Sequence, residues 1–302
     1  MWGWRPSWLH MRFRSARVWL LMASLWSGLV CAEPSQALAP RSHISSASAP
    51  DYQSTQTRAW VFHPTGVAPK ALIVLLHGCG GLFTKAGALQ NRFKDYLPAL
   101  LERGYAALLV DSFGPRGRRE ICTQRYNERQ ITSVDRSHDV REVLAWARSL
   151  DQTKGVPIVL IGWSNGATSL LEILHQLAVH SAWAESGVRI DRAVAFYPGC
   201  NAAMKRDLLP PVPLLLMTGQ LDDWTPEAPC RRWAERHPRL IQHLSFEGTY
   251  HGFDGTSPLR KRMDVPNGSN PGQGVWVGGH PMARQEALKA LWRFLEGLRS
   301  VS

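Results

Sequence analysis

Ile158-Val159-Leu160-Ile161-Gly162-Trp163-Ser164-Asn165-Gly166-Ala167 is the stretch that decides the fold. Apolar, mostly β-branched residues run into G-x-S-x-G, and a helix-like segment over residues 167–178 follows. Strand, sharp turn and helix in that order make a nucleophile elbow, with a serine hydroxyl exposed at the tip of the turn. The residue types follow from the chemistry. Serine is a weak nucleophile until a base takes its proton, so its hydroxyl must protrude where a histidine can reach it. Gly162 and Gly166 leave room for close backbone approach around so tight a bend. In another setting the same pattern is a glycine-serine turn, with Ser164 capping a helix. The flanking strand and helix select Ser164 as nucleophile.

Working outward, residues 71–76 are a continuous apolar run, as expected of a strand covered on both faces, and end in His77-Gly78-Cys79-Gly80-Gly81. Residues 93–103 read as a helix closed by Gly104, and residues 105–110 as a strand ending at Asp111. Residues 133–150 carry Val134, Val140, Val143, Leu144, Ala147 and Leu150 at helical spacing. Beyond the elbow, strands over 192–197, 212–218 and 241–246 precede Pro198-Gly199-Cys200, Gly219-Gln220-Leu221-Asp222-Asp223 and Tyr250-His251-Gly252-Phe253. A first strand is expected over 58–63, an amphipathic helix over 282–298, and a loop over the Gly-, Pro- and Asn-rich residues 256–279. Strands alternating with helices predict an α/β domain: a mostly parallel central sheet with helices on both faces. Ligands of such sheets sit beyond the carboxyl ends of the strands, where every polar motif named so far falls.

Composition bounds the rest. The chain has 302 residues, 44% of them hydrophobic, enough for one α/β domain; no internal repeat or second domain is read. Arg12, Arg14 and Arg17 precede the apolar residues 18–30, and Val30-Cys31-Ala32 supplies a short-residue exit. Residues 1–32 therefore read as a signal peptide, with Met11 a second candidate start. The apolar run is shorter than the roughly 20 residues of a membrane span, and bulky Val30 argues against a lipid anchor at Cys31. A periplasmic or extracellular protein with no stable membrane anchor is expected. Residues 33–57, rich in Ser, Ala and Pro, read as a flexible leader, and residues 58–302 as the domain. Lys and Arg total 35 against 24 Asp and Glu, but form no lysine-rich stripe, so no nucleic-acid partner is expected. Cys79, Cys122, Cys200 and Cys230 are an even number in an exported chain, which predicts two disulfides.

A serine elbow needs a base and an orienting acid, which follow it in the chain order Ser, Asp or Glu, His. Asp222 or Asp223 and then His251 satisfy that order, each after a strand. His77 comes too early to be the base, and His280 sits at the mouth of the last helix and remains a rival. The reaction also needs two backbone N–H groups aimed at the developing oxyanion. Asn165, after the nucleophile, supplies one; the glycines flanking Cys79 suit its backbone to supply the other. No metal-binding or dinucleotide motif is present in the sequence, so no metal or cofactor is expected.

Leu76-His77-Gly78-Cys79-Gly80-Gly81, Gly162-Trp163-Ser164-Asn165-Gly166, Gly219-Gln220-Leu221-Asp222-Asp223-Trp224-Thr225-Pro226 and Tyr250-His251-Gly252-Phe253-Asp254 together resemble the dienelactone hydrolase family of α/β-hydrolases. The resemblance spans residues 58–298 with four separated motifs in order. It implies an α/β-hydrolase fold, and its G-x-x-D-x-x-x-P motif selects Asp222 as the acid and its H-G-F motif His251 as the base. The namesake enzymes carry cysteine where this chain has Ser164, a nucleophile suited to ordinary carboxylic esters. The expected activity is therefore a secreted serine esterase working through an acyl-enzyme on a small-molecule or polymeric ester. A peptidase resembling the prolyl oligopeptidases is the first alternative, though the chain has no room for their propeller; a non-catalytic binding protein on a hydrolase fold is the second. In the sheet that the resemblance implies, the strands ending at Leu76 and Val110 are neighbours, as are those ending at Tyr197 and Thr218. Their loops pair Cys79 with Cys122 and Cys200 with Cys230. Trp163, Trp224, Phe83 and Trp276 are candidates for an aromatic acyl pocket, the first two because they adjoin catalytic positions and the other two with packing as the alternative. Arg116, Arg118 and Arg119 are either a solvated basic loop or a receptor for a substrate carboxylate.

Overall fold

The structure, a computed structural model, describes residues 52–298. The expected signal peptide, and the leader as far as residue 51, lie outside the described residues. Eight strands form the main sheet: β1 (Tyr52–Gln53), β2 (Arg58–Phe62), β3 (Leu72–Leu76), β4 (Ala106–Asp111), β5 (Ile158–Trp163), β6 (Arg192–Phe196), β7 (Leu214–Gly219) and β8 (Ile241–Phe246). Their order is β1-β2-β4-β3-β5-β6-β7-β8. β1 and β2 are antiparallel additions at one edge, and every pair from β4 to β8 is parallel.

Residues of β3, β4, β5 and β7 are all buried, so both faces of these strands must be covered. Alternation sends Leu72 and Val74 to one core and Ile73 and Leu75 to the other. On the first face pack α2 (Ser133–Arg148) and α3 (Asn165–Val179), through Val140, Val143, Leu144, Leu170, Ile173 and Leu174. On the second pack α1 (Asn91–Glu102) and a last helix (Pro281–Glu296), through Tyr96, Leu97, Leu100, Leu288, Leu291 and Trp292. Each such aliphatic side chain contributes roughly 1.5–3 kcal/mol when fully withdrawn from water. α2 begins at a capping box: the Thr132 hydroxyl accepts from the Asp135 N–H at 3.2 Å, and Asp135 Oδ2 accepts from the Thr132 N–H at 2.7 Å. Val134, expected on its apolar stripe, is 42% exposed, because it lies in the first turn before the helix meets the sheet.

Two expectations need correcting. The leader is expected as far as residue 57, yet Tyr52 and Gln53 pair with β2, and the Tyr52 ring packs 5.4 Å from Trp146. Two residues carry no periodicity, so their strand is set by these tertiary contacts. The loop expected over 256–279 contains a hairpin of β9 (Arg260–Arg262) and β10 (Val275–Val277). Its strands of three residues are too short to show an alternation. Among the described residues, no helix is long and apolar enough to cross a membrane.

Candidate active site

The elbow is built by crowding. Ser164 follows β5 with φ 53° and ψ −119°, a left-handed conformation that costs a non-glycine residue about 1–3 kcal/mol. Its N–H donates to the Phe196 carbonyl at 2.9 Å, and its carbonyl accepts from the Thr168 N–H at 2.8 Å, fixing the turn from both sides. A Cβ on Gly162 would stand 2.7 Å from Ala167 N, and one on Gly166 would stand 2.2 Å from the Leu76 carbonyl oxygen. Only glycine lets α3 start so close to β3 and β5.

At the tip, Ser164 Oγ donates to His251 Nε2 at 2.8 Å. His251 Nδ1–H donates to Asp222 Oδ2 at 2.8 Å. The other carboxylate oxygen of Asp222 accepts from the N–H groups of Trp224 and Thr225, at 2.9 and 2.8 Å. Asp222 and His251 are 5% and 4% exposed, so water does not compete for these bonds. Asp223 points elsewhere: its side chain accepts from the Trp276 N–H at 2.9 Å and its carbonyl from the Ser269 N–H at 2.7 Å, anchoring the β9–β10 excursion. His280 caps the last helix, accepting from the Ala283 N–H at 3.2 Å. His77 is buried beneath the rim, its Nδ1–H donating to the Gly78 carbonyl at 2.8 Å and its Nε2 accepting from the Ser112 N–H at 3.4 Å. Burial first, and the Arg136 charge second, push its pKa well below the ordinary 6.5.

Cys79 lies on the loop after β3 and Asn165 opens α3, on either side of Ser164, and neither N–H donates a hydrogen bond among the described residues. Cys79 is bridged to Cys122 and Cys200 to Cys230, with Cα separations of 4.9 and 5.0 Å. The first bridge is reinforced by the Ile121 N–H, which donates to the Cys79 carbonyl at 2.8 Å.

Two cavities flank Ser164. One, of about 450 Å³, is lined by Gly80, Arg92, Arg119, Trp224 and Gly279 among others. The second, of about 330 Å³, is lined by Tyr126, Arg129, Ile131, Asn165 and Trp224 among others. Trp224 thus borders both, its ring 4.7 Å from that of His251. Trp163 also lines the first cavity; it is 1% exposed and stacks on Phe196 at 5.4 Å, with its indole N–H donated to Asp254. Phe83 packs against Trp60, and Trp276 lies 6.0 Å from the Tyr250 ring. Of the three loop arginines, Arg119 lines the first of these cavities, and Arg116 and Arg118 line neither. Arg116 forms a bidentate pair with Asp139 at 2.7 and 2.8 Å, and Arg118 donates to Gln130 at 3.0 Å.

Sequence reading missed Asp254. Its carboxylate, fully buried, accepts from Arg92, from Tyr96 OH and Trp163 Nε1 at 2.9 Å, and from Tyr197 OH at 2.6 Å. Burial works against its ionisation, but Arg92 and these donors outweigh that and hold the carboxyl below its ordinary pKa. The signal in the sequence was its place directly after the H-G-F motif. No cluster of three or more His, Cys, Asp or Glu suited to a metal occurs among the described residues.

No protein-family model matches the chain, and no curated protein matches it. Solved structures do. A protein of Klebsiella pneumoniae described as a dienelactone hydrolase superposes with a TM-score of 0.56 at 12% identity, over 80% of this chain and 93% of that one. Esterase 2 of Thermogutta terrifontis, phosphoramylated by tabun, gives 0.52 at 18% identity, over 80% and 89%. Its butyrate-bound form gives 0.53 at 18% identity, over 82% and 91%. Such identities speak to architecture, and with the strand order above they make this an α/β-hydrolase fold.

Proposed function

We propose that the chain is a serine hydrolase of carboxylic esters that works through an acyl-enzyme intermediate. The observation that carries this reading is the unbroken hydrogen-bonded line from Asp222 through His251 to a strained Ser164. His251 Nε2 accepts the Ser164 proton as Oγ bonds to the ester carbonyl carbon, and the carbonyl electron pair moves onto its oxygen. The N–H groups of Cys79 and Asn165 receive that oxyanion. Its collapse expels the alcohol, which leaves with the proton from Nε2. Water then repeats the sequence on the acyl group: His251 takes its proton, hands it to Ser164 Oγ as the second tetrahedral intermediate collapses, and the carboxylic acid departs. Asp222 keeps the imidazole in the tautomer that presents Nε2 to the serine, and stabilises the imidazolium that forms within each half-reaction.

The cavity of about 450 Å³ beside Ser164 suits a small ester or the end of a polymer. The Thermogutta esterase holds propionate and butyrate in two of its structures, which supports short carboxylic acids as products here as well. The two disulfides suit an oxidising compartment, and with the expected signal peptide they support work in the periplasm or outside the cell. A fluorophosphonate reagent tests the reading directly. Labelling at Ser164, with turnover of p-nitrophenyl esters and none of peptide anilides, is the expected result. An unlabelled, well-folded protein would overturn the reading in favour of a binding protein, and anilide cleavage would move it to a peptidase.

A further inference from the structure

Arg136 lies one turn into α2 and is 1% exposed, directly behind the elbow. Its Nη1 donates to the Asn165 side-chain oxygen at 2.6 Å, and its Nη2 donates to the His77 carbonyl at 2.8 Å. His77 opens the loop that carries Cys79, and Asn165 follows Ser164. One planar, rigid fork therefore joins the loop after β3 to the first residue of α3, the two segments that bear the N–H groups assigned to the oxyanion. The Phe113 ring closes over the guanidinium, 5.2 Å from its centroid.

The charge matters as much as the fork. Asp135, the preceding residue, is used in the capping box with Thr132; Asp139, one turn further along the helix, is taken by Arg116; and Arg136 has no direct ion pair among the described residues. Burial lowers its pKa to about 10, with Asp139 and Asp111 opposing the fall, so it remains a cation at neutral pH. Burying a cation without a bound anion is costly, and a neutral side chain could make two hydrogen bonds without that cost. An anion does arise beside this cation at every turnover, on the carbonyl oxygen.

We propose that Arg136 is a positioning residue that holds both oxyanion donors in register and adds a fixed positive field to them. The inference rests on the esterase reading above. A ground-state ester is neutral, so this stabilisation is felt in the transition state and acts on kcat rather than on KM.

The test compares wild type with Arg136→Met, Arg136→Lys and Asn165→Ala on a p-nitrophenyl ester, with rates expressed per serine titrated by fluorophosphonate. Arg136→Met is expected to lower kcat by roughly 10²–10³-fold, as loss of one oxyanion donor does, with KM within about threefold. Affinity for a trifluoromethyl ketone, which forms an oxyanion on Ser164, is expected to fall in parallel, while affinity for a product carboxylate holds. Arg136→Lys keeps the charge and is expected to recover about tenfold of the rate, and Asn165→Ala, which frees one arm of the fork, to lose about tenfold. Unchanged kcat per titrated serine, with only the active fraction or the melting temperature reduced, would overturn the proposal by making Arg136 a structural clamp alone. If Arg136→Met does not fold, Arg136→Lys and Asn165→Ala decide by the same split between kcat and KM. Absence of labelling or turnover in the wild type would instead sink the esterase reading itself.

Discussion

Asp222 places a carboxylate oxygen 2.8 Å from His251 Nδ1, while Asp223, one residue later, gives its carboxylate to the Trp276 N–H. Asp222→Asn is therefore expected to lower kcat by roughly 10⁴-fold through the wrong imidazole tautomer. Ser164→Ala and His251→Ala should each fall as far as their double mutant does, because the three side chains act as one unit. Asp223→Asn is expected to loosen β10 and leave kcat within about tenfold. Steady-state kinetics with circular dichroism checks the set; a crippling Asp223→Asn beside a mild Asp222→Asn would reverse the assignment. His77 carries a different expectation. Unfolded, it binds a proton below about 6.5; folded, with its pKa depressed, it does not. The unfolded state thus holds more protons in that range, and the fold weakens as the pH drops below about 6.5, by up to about 1.4 kcal/mol per pH unit. Urea titrations near neutrality and about two units lower should show a steeper loss in wild type than in His77→Gln. At this scale the triad could be seen in the chain order, but the choice between the two aspartates needed the resemblance. Asp254 escaped notice because a buried hub is defined by partners, and its partner Arg92 is 162 residues away in sequence.

Among the elements, the two disulfides make a controlled pair. They close loops of 43 and 30 residues, each stabilising by roughly 4 kcal/mol in the chain-entropy account. Only the first includes a residue, Cys79, whose N–H is assigned to the oxyanion; the second joins Cys200 and Cys230, and the neighbours of Cys200 line the second cavity without a donor role. Cys122→Ser is expected to depress kcat more than it raises KM, since a loosened oxyanion donor fails chiefly in the transition state. Cys200→Ser is expected to lower stability with kcat nearly intact. Peptide mapping, chemical denaturation and kinetics on both variants check this, and equal losses of kcat would mean that the first bridge has no special tie to the site. Strands β3 to β7 were legible because buried parallel strands are continuous apolar runs. The hairpin of β9 and β10 was not, because Asp223 and a bridge between His251 and Val277 hold it, and neither leaves a local pattern.

Across the whole molecule, Asp254 gathers groups from α1 (Arg92, Tyr96), β5 (Trp163) and the residue after β6 (Tyr197), and its carbonyl takes Arg284 from the last helix. Asp254→Asn leaves the Arg92 cation largely buried beside a neutral amide and is expected to cost about 3–5 kcal/mol, read as a lowered denaturant midpoint. A loss below about 1 kcal/mol would mean that water or another acid replaces the carboxylate. The same hub also sets a timetable. Its members come from both ends of the domain, and parallel strands joined through distant segments assemble slowly. In a refolding experiment, helix and sheet signals would return before esterase turnover, and turnover would appear only once the last helix has docked. A partly made or partly refolded chain would carry Ser164, the proposed nucleophile, in plain sequence and yet be chemically silent.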